Sequence, residues 1–214
     1  MILITGANRG VGRALLEHYR REGVAAKGTA RVPEGDLLPL DVTDPASVKA
    51  LAGRLGRTAL SLLVCNAGIY PDRGQPLDTG FAPEIWARGF ATNVTGVFLT
   101  IQALLPNLRA AEGAKIAILS SQMGSDTRAN GGAYIYRASK AAVLNLGRNL
   151  ATDLKSEGIA VGIYHPGWVR TEMGGSGASL DPARSAADLA ARFDELSVAT
   201  TGSFRSHDGT TLPF

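Results

Sequence analysis

Short apolar runs alternate along this chain with longer stretches in which apolar residues recur every three or four positions. The first run, Met1 to Thr5, is almost wholly apolar and ends at Gly6, which predicts a strand buried on both faces. Val11, Ala14, Leu15 and Tyr19 then mark one face of a helix that stops at Gly23. Further strands are expected at Val24 to Arg31, Leu37 to Leu40, Leu60 to Cys65, Lys115 to Leu119 and Ile159 to Tyr164, with a last one inside Gly202 to Phe214. Asp44-Pro45 and Asp181-Pro182 read as an N-cap followed by a first-turn proline, opening helices to about Leu55 and Leu196. Two more helical stretches run from about Pro83 to Arg109 and from the Tyr136 region to about Gly158. Strands alternating with helices predict an α/β fold: a Rossmann-like, doubly wound parallel sheet of about seven strands, with 1–214 as one domain.

One connection breaks this rhythm. Only Val32 to Asp36 separates the second and third strands. A parallel crossover normally takes a dozen or more residues, usually a helix. The helix between strands two and three is therefore expected to be missing. Its sheet face would then be exposed or covered by a partner.

Composition narrows the class. The 214 residues are 45% hydrophobic and 19% charged, with a net charge of +3, the profile of an ordinary globular chain. No Lys/Arg run interleaved with aromatics suggests nucleic acid. Cys65 is the single cysteine, so no internal disulfide can form and a reducing, cytoplasmic setting is expected. The three histidines have no ligand spacing, and no metal site is expected. The N-terminus carries no basic head or cleavage signal, and no apolar run is expected to reach membrane-spanning length.

The chemistry lies at the strand ends. Thr5-Gly6-Ala7-Asn8-Arg9-Gly10-Val11-Gly12 joins the first strand to the first helix. Glycines there let backbone approach a phosphate, and a helix N-terminus favours negative charge. An NAD site usually carries an acid near the end of the second strand, but this segment reads Lys27-Gly28-Thr29-Ala30-Arg31. Arg31 and Arg9 could instead hold a 2′-phosphate, favouring NADP(H) over NAD(H); the alternative is two surface arginines. Asn66-Ala67-Gly68 follows the fourth strand, where small residues suit close approach of a ligand. Tyr136 and Lys140 stand four apart, on one helix face. An adjacent ammonium would pull the phenol below its usual pKa of about 10 and suit it to proton transfer, although a solvated helix face has the same spacing. The glycine-rich stretch Gly174 to Ser179, within about 172–181, reads as a short substrate lid or as a linker.

Taken together and in order, these motifs resemble the short-chain dehydrogenase/reductase family over nearly the whole chain. The stretch Gly131 to Lys140 and the Asp208-Gly209…Leu212-Pro213 tail are similar to its C-factor and sniffer-like carbonyl reductase subgroup. The resemblance implies hydride transfer between NADP(H) and a small carbonyl or alcohol. Asn93, Ser121, Tyr136 and Lys140 match the family's catalytic tetrad. Tyr136 would be the proton donor or acceptor, Lys140 would lower its pKa and hold the nicotinamide ribose, and Ser121 would bond the substrate oxygen. Asn93 would support a water chain to Lys140. Gly6, Asn8, Arg9, Gly10, Val11, Gly12, Asn66, Ala67 and Gly68 would cradle the cofactor. Asp41 and Val42 would flank the adenine, and Pro166, Gly167, Val169 and Thr171 would lie on the nicotinamide side. Ile69, Tyr70, Met123, Tyr134, Trp168 and Met173 would line an apolar substrate pocket. Assembly as a homodimer or homotetramer through the Asn93 and Tyr136 helices is also implied.

Two departures stand out. Ser121 to Tyr136 is two residues longer than the family's usual spacing, so Ser120 rivals Ser121 for the role. The missing crossover beside Arg31 bears on adenine binding. Alternative functions are a non-catalytic dinucleotide-binding regulator, a signalling protein working through the exposed sheet face, and a sugar-nucleotide epimerase or dehydratase, for which the C-terminal region is short.

Overall fold

The computed structural model describes residues 1–214. Its strands are β1 (Ile2–Ile4), β2 (Ala26–Ala30), β3 (Leu38–Pro39), β4 (Leu62–Cys65), β5 (Lys115–Leu119), β6 (Ala160–His165) and β7 (Phe204–Ser206). They form one seven-stranded sheet in the order β3-β2-β1-β4-β5-β6-β7, and every neighbouring pair is parallel. Strand order reverses between β1 and β4, and the crevice beyond their carboxyl ends is where open α/β sheets take ligands.

Both faces of the sheet are covered, which is why its strands read as continuous apolar runs. Ile2, Ile4, Leu62, Val64, Ala117 and Leu119 point to one face, under α1 (Gly10–Arg21) and α6 (Pro182–Glu195). Leu3, Leu63, Cys65, Ile116 and Ile118 point to the other. There they meet α2 (Pro45–Leu55), α4 (Gly96–Arg109) and α5 (Tyr134–Leu154). Asp44 and Asp181 cap α2 and α6 as expected, accepting the amides of Ala46 at 2.9 Å and Ala183 at 2.8 Å.

The helix between β2 and β3 is absent, as the short connection predicts. The face it would have covered is not left bare, which corrects that expectation. A Cβ on Gly28 would lie 2.7 Å from Leu37 Cδ2 and 2.8 Å from Leu16 Cδ2, so Leu37 folds back onto the strand. Asp36 closes the edge with ion pairs to Arg20 at 2.7 Å and Lys27 at 3.4 Å. Because β2 reads Ala-Lys-Gly-Thr-Ala, there is little side chain to cover, and a loop suffices.

A helical run extends from Pro83 to Arg109: α3 (Pro83–Phe90), a π-helical turn over Ala91–Thr95, and α4. By length and composition this run is apolar enough to cross a membrane, which corrects the expectation that none reaches that length. Its α4 half packs Val97, Ile101, Leu104 and Leu108 into the core against the sheet.

Candidate active site

The turn after β1 is built from backbone contacts that exclude larger side chains. Gly10 has φ +57°, a left-handed conformation that glycine adopts without strain. A Cβ on Gly12 would lie 2.4 Å from Asn66 Nδ2 and 2.5 Å from the Gly6 carbonyl oxygen. The Asn66 amide fills that space, donating to the carbonyls of Thr5 at 2.8 Å and Gly6 at 3.0 Å. The Thr5 hydroxyl returns the tie, accepting from the Asn66 and Ala67 amides at 3.0 Å each. Asn66-Ala67-Gly68 thus staples the end of β4 to the glycine-rich turn. The N-terminus of α1 has no side-chain cap and no acid in its first turn, so its amides suit a phosphate. The residues present therefore fit a dinucleotide.

Asn8 and Arg9 are exposed beside this turn, and Val11 is half-buried. Arg9, expected at a phosphate, instead pairs with Glu172 across the cleft. Arg31 is exposed at the end of β2, near Asp41. Hydrogen bonds from Thr43 hold the Asp41 carboxyl below the usual range, with Arg31 adding a smaller pull. Val42 is buried, and a Cβ on Gly96 would lie 2.8 Å from its Cγ2.

The tetrad residues converge beyond β4 and β5. Asn93 sits in the π-helical turn and is 1% exposed. Its amide spans Ile69, accepting from the N–H at 2.9 Å and donating to the C=O at 2.9 Å, and it donates to Ser139 Oγ at 2.9 Å. Lys140 is buried and donates to the Leu119 carbonyl at 2.9 Å. Its Nζ lies 5.7 Å from the Tyr136 ring centroid. A Cβ on Gly68 would meet both Asn93 Oδ1 at 3.3 Å and Lys140 Nζ at 3.6 Å, which puts these two groups side by side. Of the two serines, Ser121 is the one close enough to the Tyr136 phenol to lower its pKa. Ser120 turns its hydroxyl to the Lys140 carbonyl at 3.0 Å.

The expected lowering of the phenol by Lys140 is not what the structure gives: the shift is upward. Burial pushes the Tyr136 phenol up to about 12, with nearby Ser121 opposing it. Burial also brings the Lys140 ammonium down to about 8. Taking either charged form out of water is costly, so burial moves the phenol up and the ammonium down.

Among the residues expected on the nicotinamide side, the Pro166 carbonyl accepts from Ser185 at 2.7 Å, and Gly167 has φ +88°. Val169 is buried and bridges to Leu180. Thr171 Oγ1 accepts from the Gly174 amide at 3.0 Å, and its Cγ2 lies 3.3 Å from where a Gly10 Cβ would stand. The expected pocket residues differ in placement. Ile69 is held by Asn93. Tyr70 stacks on Tyr136, with ring centroids 4.3 Å apart and planes 15° off parallel. Met123 is half-buried, its amide bonded to Ser121 Oγ at 3.1 Å. Tyr134 meets Phe81 edge-on at 5.4 Å, and Trp168 donates to the Gly174 carbonyl at 3.0 Å. Met173 is exposed, its carbonyl bonded by Arg73. Sequence reasoning missed Asp72, Arg73 and Ser139, whose contacts with Ile135, Met173 and Asn93 join residues far apart along the chain.

The profile described as short chain dehydrogenase matches residues 1–179. The 1-hydroxy-2-glutathionyl-2-methyl-3-butene dehydrogenase of Rhodococcus sp. (strain AD45) is 34% identical, with 99% of this chain and 98% of that protein aligned. C-signal of Myxococcus xanthus is 34% identical over 78% of this chain and its own full length. Among solved structures, the NADPH-bound carbonyl reductase from chicken fatty liver superposes with a TM-score of 0.90 at 32% identity, covering 100% of this chain and 98% of that one. Carbonyl reductase Sniffer of D. melanogaster gives 0.92 at 29%, with the same coverage. The chain is an oxidoreductase of the short-chain dehydrogenase/reductase family, similar within it to C-signal and to Sniffer-like carbonyl reductases.

Proposed function

We propose that this enzyme transfers a hydride between NADP(H) and a small carbonyl or alcohol, with Tyr136 as general acid and base. The observation that carries this reading is the convergence of Ser121, Tyr136, Lys140 and Asn93 beside an uncapped α1 N-terminus. The nicotinamide, when bound, supplies or accepts the hydride. In the reducing direction Tyr136 gives its phenolic proton to the carbonyl oxygen. Ser121 donates a hydrogen bond to that oxygen as charge develops. Lys140 stabilises the phenolate that remains. Asn93 fixes the segment that carries Ile69 and lies beside the ammonium, where a water chain can return the proton.

Preference for NADP(H) rests on Arg31, exposed beside Asp41 at the adenine end, and on the NADPH carried by the chicken carbonyl reductase. Tyr70, Tyr134 and Trp168 suit a hydrophobic carbonyl, and residues 172–181 would act as the lid of a single catalytic domain. Assembly through α4 and α5 as a homodimer or homotetramer belongs to the same reading.

The test is a fluorescence titration with NADPH and NADH, followed by a panel of aldehydes, ketones and quinones. Tighter NADPH binding with turnover is the expected result. Likeness to C-signal favours a second reading, a nucleotide-binding signalling protein. Tight binding with no turnover on any panel member would shift the assignment to it.

A further inference from the structure

The reaction outlined above leaves one buried charge unused. Asp72, in the segment between β4 and α3, is 1% exposed. Its Oδ2 accepts the Ile135 N–H at 2.7 Å, and its Oδ1 accepts the Tyr136 N–H at 3.2 Å. The catalytic helix has no cap of its own: Ala133, at its N-cap, is left-handed with φ 49° and bonds nothing through its side chain. The first turn of α5 is therefore capped by a carboxylate from another element.

The same short segment grips Tyr136 a second way. Tyr70 lies face to face on the Tyr136 ring at 4.3 Å. Upstream, Asn93 holds both polar atoms of Ile69. Residues 69–72 are thus tied at one end to the π-helical turn and at the other to α5. Between these ties they touch both the backbone and the ring of the proton donor.

The choice of a carboxylate is informative. Burying an ion costs several kcal/mol, so a neutral Ser, Thr or Asn would cap a helix more cheaply. A carboxylate has no donor of its own, accepts two adjacent amides at once, and is favoured at the positive end of a helix. It therefore fixes the first turn more tightly than a neutral cap can.

We propose that Asp72 is a positioning residue that sets where the Tyr136 phenol stands relative to the reacting oxygen. This rests on the reading of Tyr136 as the proton donor. A displacement of about 1 Å at a reacting group can cost on the order of a hundredfold in rate.

The test compares Asp72→Ala, which removes both acceptors, with Asp72→Asn, which keeps one, in the full chain. Three readouts are taken: amide hydrogen exchange across 134–140, NADPH affinity, and kcat with its isotope effect from 4-deuterated NADPH. In Asp72→Ala, exchange at Ile135 and Tyr136 should quicken while later α5 amides stay protected. NADPH affinity should hold within about twofold, kcat should fall about ten- to a hundredfold, and the isotope effect should rise as chemistry becomes limiting. Asp72→Asn should fall between, and it carries the test if the alanine variant does not fold. A kcat that drops only with the folded fraction, with an unchanged isotope effect, would overturn the proposal. So would unchanged exchange at Ile135 and Tyr136, a result that needs no turnover. An inactive wild type would instead overturn the parent reading, with the exchange data still deciding whether the cap exists.

Discussion

Replacing Lys140 by Met should make the ligand-free protein more stable at neutral pH and less stable at high pH. Lys140 is 7% exposed, and the one hydrogen bond of its ammonium goes to the Leu119 carbonyl. Burial lowers its ammonium from 10.5 to about 8. At about 1.4 kcal/mol per unit, that depression is on the order of 3 kcal/mol. Below pH 8 the lysine is protonated in both folded and unfolded chains, and the full cost of the buried charge is present. Between pH 8 and 10.5 the folded chain loses the proton first, the unfolded chain binds more protons, and wild-type stability rises with pH. Methionine removes the cost at every pH, but leaves the Leu119 carbonyl without this donor, a loss of about 1–3 kcal/mol. The net expectation at pH 7 is a gain of about 1 kcal/mol for Lys140→Met. By pH 10 the difference should have moved about 2–3 kcal/mol in favour of wild type. Urea unfolding of both proteins without ligand at the two pH values reads this directly. A stability difference that stays constant across that range, or a variant already less stable at pH 7, would refute the reasoning. Turnover should be lost in the same variant, because active sites hold groups that the fold alone would discard.

Two further substitutions test the cofactor end. Gly12→Ala puts a methyl 2.4 Å from Asn66 Nδ2, so the Asn66 amide must leave the Thr5 and Gly6 carbonyls. The expected cost is about 2–4 kcal/mol, read as a lowered thermal midpoint, together with weaker NADPH binding. Arg31→Ala should weaken NADPH about ten- to a hundredfold and leave NADH nearly unchanged, because only the former carries the 2′-phosphate. Equal losses for both cofactors would place Arg31 away from that phosphate.

Much of the scaffold is legible in the residues because it is written in local patterns. β5 runs from Lys115 to Leu119 as its apolar run predicts, and the Asp-Pro pairs open α2 and α6 where expected. The short Val32–Asp36 connection announces the missing helix through simple chain length. Other features escape such reasoning. The π-helical turn around Asn93 adds a single residue to the helical repeat, too little to disturb an apolar pattern, yet it aims that amide at Ile69. The direction of the Tyr136 shift depends on burial from several elements, which a spacing of four residues does not carry. Leu37 covers the strand face through one side chain folding back, and Asp72 reaches α5 from far along the chain. Arg9 pairs with Glu172 for the same reason: partners brought together only by the folded sheet leave no local signature.

The central claim is that proton transfer runs through Tyr136, and Tyr136→Phe tests it most directly. The ring, its stack with Tyr70 and the α5 amides remain, and only the phenolic oxygen is removed. The variant should bind NADPH with wild-type affinity and lose turnover by about a hundredfold or more. Turnover at the wild-type rate, with binding intact, would contradict the account.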